Sequence, residues 1–135
     1  MSAEQNRKIV EDAVAKWQLG NPEAFYQILD ENVNWTVIGT TEVSGTYTSR
    51  QDFIDDAVRE IGKRIDGQVT PKIVDIITEG DRLVFRWDGS GKMADGTPYH
   101  NRYSWAMTFK DGKVVEGTAY LDTALVDRLM ELPSG

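Results

Sequence analysis

The chain contains no cysteine, so neither a disulfide framework nor a thiolate metal site can be built. It has a single histidine, His100, and a histidine-rich metal site is excluded as well. Basic residues are the minority, 15 Lys and Arg against 22 Asp and Glu, for a formal charge of −7. Phosphate backbones need clustered cations, so neither nucleic acid nor an anionic membrane surface is an expected partner. No apolar run approaches the roughly 20 residues that cross a bilayer. The first stretch, MSAEQNRKIVEDAV, is charged and periodic and lacks the apolar segment of a signal peptide. There is no phosphate-binding glycine loop and no cluster of ligating side chains, so no nucleotide, flavin or metal cofactor is expected. These absences point to a soluble, cytoplasmic protein without a cofactor.

What is present fits one domain spanning residues 1–135. A domain of this length buries about two-thirds of its unfolded surface and needs no covalent staple. Four tryptophans and five tyrosines are generous for it, and such side chains suit pockets and interfaces.

Residues 4–19 carry Ile9, Val10, Ala13, Val14 and Trp17 at helical spacing, closed by Gly20. Asn21-Pro22 opens a second, short helix with Phe25, Ile28 and Leu29 on its apolar face. Residues 33–38, VNWTVI, suit a strand. Ser49 and Asp52 resemble a capping box that starts a helix to about residue 65. Beyond Gly67 the period changes to two, with strands at 69–79, 82–90, 98–109 and 113–122. Turns fall at Glu79-Gly80, Asp95-Gly96 and Asp111-Gly112. A final helix covers about 123–131. The order gives an α+β fold, with helices collected on one face of a curved antiparallel sheet. Such a layout leaves room for a conical cavity between the layers.

The stretch FRWDGSG, residues 85–91, places Arg86 and Asp88 on one face of a strand and Phe85 and Trp87 on the other. The pair is either a surface ion pair or the polar floor of a pocket. Spacing within one strand does not decide between them.

The segments LGNPEAF, DENVNWTVIG, SGTYTSRQDF and DGKVVEGTAYLDT, spread along nearly the whole chain, resemble the nuclear transport factor 2-like superfamily in its SnoaL-like branch. That superfamily includes ketosteroid isomerases, limonene epoxide hydrolases, scytalone dehydratases, polyketide cyclases and non-catalytic binding subunits, so fold does not give function. The isomerase general base falls on Thr36 or Val37, and its oxyanion-binding aspartate on Trp105. Neither Thr36 nor Val37 takes a proton from carbon, so that mechanism is not expected. The hydrolase Arg-x-Asp is matched by Arg86-Trp87-Asp88. Its second aspartate falls on Ala119, and its water-holding tyrosine and asparagine on Trp35 and Val37. Asp122 has the parity opposite to residue 119.

The resemblance thus implies that Arg86 and Asp88 face a cavity, with Asp88 as acid or base and Arg86 as its electrostatic partner. Tyr103 would be a further catalytic residue, orienting a substrate carbonyl or hydroxyl together with Asn101. Trp35, Val37, Tyr99, Trp105, Val115, Ala119 and Leu121 would complete the wall. The competing structural reading of Arg86 and Asp88 is an ion pair that fixes strand register or a dimer contact. His100 has the parity opposite to Tyr103 and should face outward. The outer face, with Phe85, Trp87, Ala106 and Thr108, would pair two copies, as relatives commonly do.

The expected function is acid/base chemistry on an apolar, oxygen-bearing molecule of terpenoid, steroid-like or polyketide type. Isomerisation, dehydration, cyclisation and epoxide hydrolysis are the candidate reactions. The alternative is a non-catalytic module that binds a hydrophobic ligand or a partner.

Overall fold

A computed structural model of the chain describes residues 2–134. Helix α1, Ala3–Gln18, starts at a full capping box: Ser2 Oγ accepts from the Gln5 N–H, and Gln5 Oε1 accepts from the Ser2 N–H. Its buried stripe is Asn6, Val10, Ala13, Val14 and Trp17, the three- and four-residue spacing that one helical face requires. The short helix α2 is Glu23–Tyr26.

Strand β1, Leu29–Val37, is followed by β2, Gly45–Tyr47. Helix α3, Arg50–Phe53, is capped by Ser49, whose Oγ accepts from the Asp52 N–H. It continues through a π-helical turn at Ile54–Val58 into α4, Arg59–Gly62. Four long strands complete the sheet: β3 Ile65–Glu79, β4 Arg82–Met93, β5 Pro98–Lys110 and β6 Lys113–Leu121. Helix α5, Thr123–Met130, begins at Asp122, whose Oδ1 accepts from the N–H groups of Ala124 and Leu125.

The sheet is curved and open, in the order β2-β1-β6-β5-β4-β3. All neighbours are antiparallel except β1 and β6, which run parallel. Helix α1 packs on β3 and β4, α3 on β1, and α4 on β3, so these helices share one face. The expected α+β cone is the observed architecture. The three glycines expected at the β-turns, Gly80, Gly96 and Gly112, all have positive φ, which only glycine adopts without cost. The strand β2 went unforeseen, because three residues are too few to show a period.

Two local features shape the cavity. Gly117 on β6 lies opposite Trp35 on β1, and a Cβ there would collide with the Trp35 ring. Glycine leaves room for this indole against the sheet. The register of β6 against β5 also slips: Thr108 faces Glu116 while Phe109 faces Val114. The extra residue is Val115, a β-bulge that reverses parity along β6. Val115 therefore leaves the inner face, where the simple alternation had placed it, while Ala119 and Leu121 keep it.

The larger core cluster joins the inner sheet face to α1 and α2, with Phe25, Leu29, Trp35, Phe85 and Val114 almost fully enclosed. A smaller cluster, Ile65, Met93, Tyr99, Leu125 and Leu129, sits at the end covered by α5.

Candidate functional site

Between helices and sheet lies a cavity of about 220 Å³. An engineered apolar cavity of roughly 150 Å³ is enough to hold benzene, so this one has room for a larger apolar ring system. Its walls come from every layer. Trp17 ends α1, Tyr26 ends α2, and Trp35 and Val37 stand on β1. Phe53, Ala57, Val58 and Ile61 come from α3 through α4, and Gln68 and Val69 from β3. Trp87, Tyr103, Trp105, Ala119 and Leu121 come from β4, β5 and β6. The π-helical turn contributes Ala57 and Val58, and π-turns recur at functional sites.

All four tryptophans of the chain line this space. Trp105 is their hub. The ring centroids of Trp17, Phe25, Trp35, Phe85, Trp87 and Tyr103 all lie within 6.4 Å of it. Trp87 stacks on Tyr103 at 3.9 Å with the planes 9° apart. The Trp35–Trp105 and Trp87–Trp105 pairs are nearly perpendicular, the edge-to-face geometry that ring quadrupoles favour. The buried indole N–H groups of Trp35, Trp87 and Trp105 find no oxygen or nitrogen acceptor.

No described residue on the wall carries a charge. The polar side-chain groups of its lining residues are the indole N–H groups, the phenols of Tyr26 and Tyr103 and the amide of Gln68. Burial pushes the Tyr26 phenol far above the usual phenol range. Burial does the same for Tyr103, with additions from Tyr99 and Tyr26. Both stay protonated at neutral pH and act as neutral hydrogen-bonding groups.

The placement of Arg86 and Asp88 corrects the sequence reading. Neither lines the cavity. Phe85 and Trp87 are the inward residues of β4, at 0% and 3% exposure, and Arg86 is exposed on the opposite face. Arg86 Nη1 donates to Asp75 Oδ2 at 2.6 Å, with both side chains more than 40% exposed. Asp88 stands beside Arg86, Arg102, Ser104 and Tyr120 in a separate open depression. The reason is register: Trp87 pairs with Tyr103 and Phe85 with Trp105, and directly paired residues share a sheet face. Arg86 and Asp88 cannot share the face that holds Tyr103 and Trp105. Phe85 and Trp87 are accordingly absent from the outer face, which carries Ile77, Val84, Ala106, Thr118 and Tyr120 among charged and polar neighbours.

Of the other anticipated wall residues, Trp35, Val37, Tyr103, Trp105, Ala119 and Leu121 line the cavity. Tyr99 and Asn101 lie one row behind it. Tyr99 belongs to the smaller core cluster, and its hydroxyl oxygen is 2.7 Å from that of Tyr103. Asn101 is 1% exposed and ties β5 to the junction of β6 and α5 through the backbone of Asp122. Asp122 is an N-cap and His100 is exposed on the outer face, so neither reaches the cavity. The reading of isolated strands did not place Trp17, Tyr26, Phe53, Gln68, Val69 or Trp87 on the wall. The abundance of tryptophan was the available signal for them.

A family model for the SnoaL-like domain matches residues 10–117. No curated protein matches the chain. Among solved structures, an NTF2-like protein from Burkholderia thailandensis is similar, with 25% identity and a TM-score of 0.78 over 95% of this chain and 98% of that one. An NTF2-like protein of unknown function from Burkholderia pseudomallei gives 18% identity and a TM-score of 0.80 over the same shares. A protein of ketosteroid isomerase-like fold from Catenulispora acidiphila, in complex with trimethylamine, gives 18% and 0.70 over 93% of this chain and 94% of that one.

Proposed function

This chain belongs to the SnoaL-like family, and we propose that it binds an apolar, oxygen-bearing small molecule in the aromatic cone between helices and sheet. Terpenoid, steroid-like and polyketide skeletons fit that description. The observation that carries the reading is the uncharged wall: four indoles, two phenols and aliphatic side chains around about 220 Å³. A cavity of this kind gains affinity from apolar burial and orients its ligand with a few polar groups. Acid/base turnover needs a group that accepts a proton from carbon or water near neutral pH, and the wall provides none. Binding is therefore favoured over isomerisation, dehydration, cyclisation or epoxide hydrolysis.

The outer sheet face completes the proposal. Ile77 and Tyr120 are about half exposed there, at 54% and 49%, beside charges of both signs. A second copy of the chain covering this face, as a homodimer, would remove that apolar surface from water.

Because every tryptophan lines the cavity, intrinsic fluorescence reports occupancy directly. Titration with a fused two-ring hydrocarbon such as tetralin is expected to shift the emission and saturate. Asp88→Asn should leave the titration unchanged, and Ala119→Leu, which fills the cavity, should weaken it. No response up to the solubility limit, or a loss of binding in Asp88→Asn, would sink the proposal.

A further inference from the structure

We infer that Tyr103 presents its hydroxyl proton to the cavity, so that the site prefers a ligand carrying a carbonyl oxygen over the matching hydrocarbon. This rests on the ligand-binding reading above and adds to it the chemical group that is recognised.

The hydrogen bonds that decide this begin at the junction of β6 and α5, away from the cavity. The Asp122 N–H donates to Asn101 Oδ1 at 2.9 Å, and Asn101 Nδ2 donates to the Asp122 carbonyl at 3.1 Å. A backbone N–H can only donate and a backbone carbonyl can only accept, so these two bonds fix which way the Asn101 amide points. Its second amide proton goes to Tyr99 Oη at 3.1 Å. Tyr99 Oη is thereby an acceptor towards Asn101, and its own proton must go elsewhere.

Tyr99 is 1% exposed and packs with Ile65, Met93, Leu125 and Leu129, whose side chains offer no acceptor stronger than a thioether sulfur. Among the described residues its remaining partner is Tyr103 Oη, 2.7 Å away. With Tyr99 donating, the Tyr103 proton has no protein acceptor and is left for the cavity that Tyr103 lines. The opposite arrangement would strand the Tyr99 proton in an apolar cluster, and an unpaired buried donor is the costlier state. The relay therefore runs one way, from Asp122 through Asn101 and Tyr99 to Tyr103. Tyr26, whose hydroxyl makes no hydrogen bond to a described residue, stands on the same wall as a second phenol. In this arrangement Tyr103 touches the ligand, and Asn101 and Tyr99 are positioning residues.

The test is calorimetric titration of the intact chain with three probes of one skeleton: 1-tetralone, 1-tetralol and tetralin. One hydrogen bond corresponds to about a tenfold change in Kd, so tetralone should bind the wild type about tenfold more tightly than tetralin. Tyr103→Phe should erase that difference and leave tetralin affinity in place. Asn101→Asp keeps the acceptor for the Asp122 N–H but accepts from Tyr99 where Asn101 donates. The relay then reverses, Tyr103 becomes an acceptor, and tetralol should overtake tetralone. A merely structural role for Asn101 would weaken all three probes alike.

Equal wild-type affinity for tetralone and tetralin would overturn this inference and leave the ligand-binding proposal standing. So would a preference that survives Tyr103→Phe. Failure of all three probes to bind would overturn both. The Tyr103→Phe contrast decides the matter alone if Asn101→Asp does not fold.

Discussion

The two faces of strand β4 share one backbone and little else. Inward, Leu83, Phe85 and Trp87 are almost fully enclosed. Outward, Arg86 reaches across to Asp75 with 46% of its side chain in water. The inner face draws stability from apolar burial and ring packing, which water cannot screen. The outer face relies on an exposed ion pair, which solvent and salt weaken. A charged pair at family-like spacing is therefore no guide to a site until the covered face is known. On β4 the covered face holds neutral groups, and Arg86 and Asp88 lie on the opposite side.

That contrast can be broken most sharply at Trp105. Trp105→Ala removes the hub of the aromatic cluster and should cost about 3–5 kcal/mol, read as a lower denaturant midpoint. A loss under about 1 kcal/mol would show that the cavity wall is not the main stabilising layer.

A smaller effect is expected at high pH, again from the inner face. Burial raises the phenols of Tyr26, Tyr99 and Tyr103 above the ordinary value of 10.0. The unfolded chain then releases these protons before the folded one does, so stability falls as pH rises. These phenols should leave stability flat below about pH 9 and lower it from about pH 10 upward, with Tyr103→Phe making the fall less steep. A thermal-unfolding series across that range checks it, and an unchanged slope in Tyr103→Phe would count against the buried phenol.

The smallest effect belongs to the outer face. Arg86→Ala should change the stability of one chain by no more than about 1 kcal/mol, and less at high salt. If a second copy covers this face as proposed, the same variant should instead weaken self-association in a sedimentation concentration series. A wild-type monomer at every concentration would remove the dimer.

Most of the secondary structure was legible because strong periods produced it. The apolar stripe from Val10 to Trp17, the cap at Ser49 and the turns at Gly80, Gly96 and Gly112 are local signals, and each lies where physics of a few residues would put it. The cavity was legible only in part. Leu83, Phe85 and Trp87 alternate with Val84, Arg86 and Asp88, and the alternation alone leaves open which set faces inward. The resemblance to an Arg-x-Asp pattern put Arg86 and Asp88 inside, and the register of β4 against β5 reverses that. Tyr99 and Asn101 have the inner parity but lie where the sheet meets α5, so a core cluster covers them and the cavity does not. Val115 was misplaced by a bulge that no alternation reveals.

Local spacing is enough for most of the elements, their order and which residues share a face within a regular strand, since those follow from spacings of two and of three to four residues. The tertiary structure decided which face is covered and which strands stand side by side. Those choices depend on register between distant segments, where Trp87 meets Tyr103 and Phe85 meets Trp105. They also depend on side-chain-to-backbone bonds such as those of the Asn101 amide with Asp122, which join β5 to the β6–α5 junction. A period of two is unchanged when a strand is turned over, so only contact with the rest of the fold can say which side is inside.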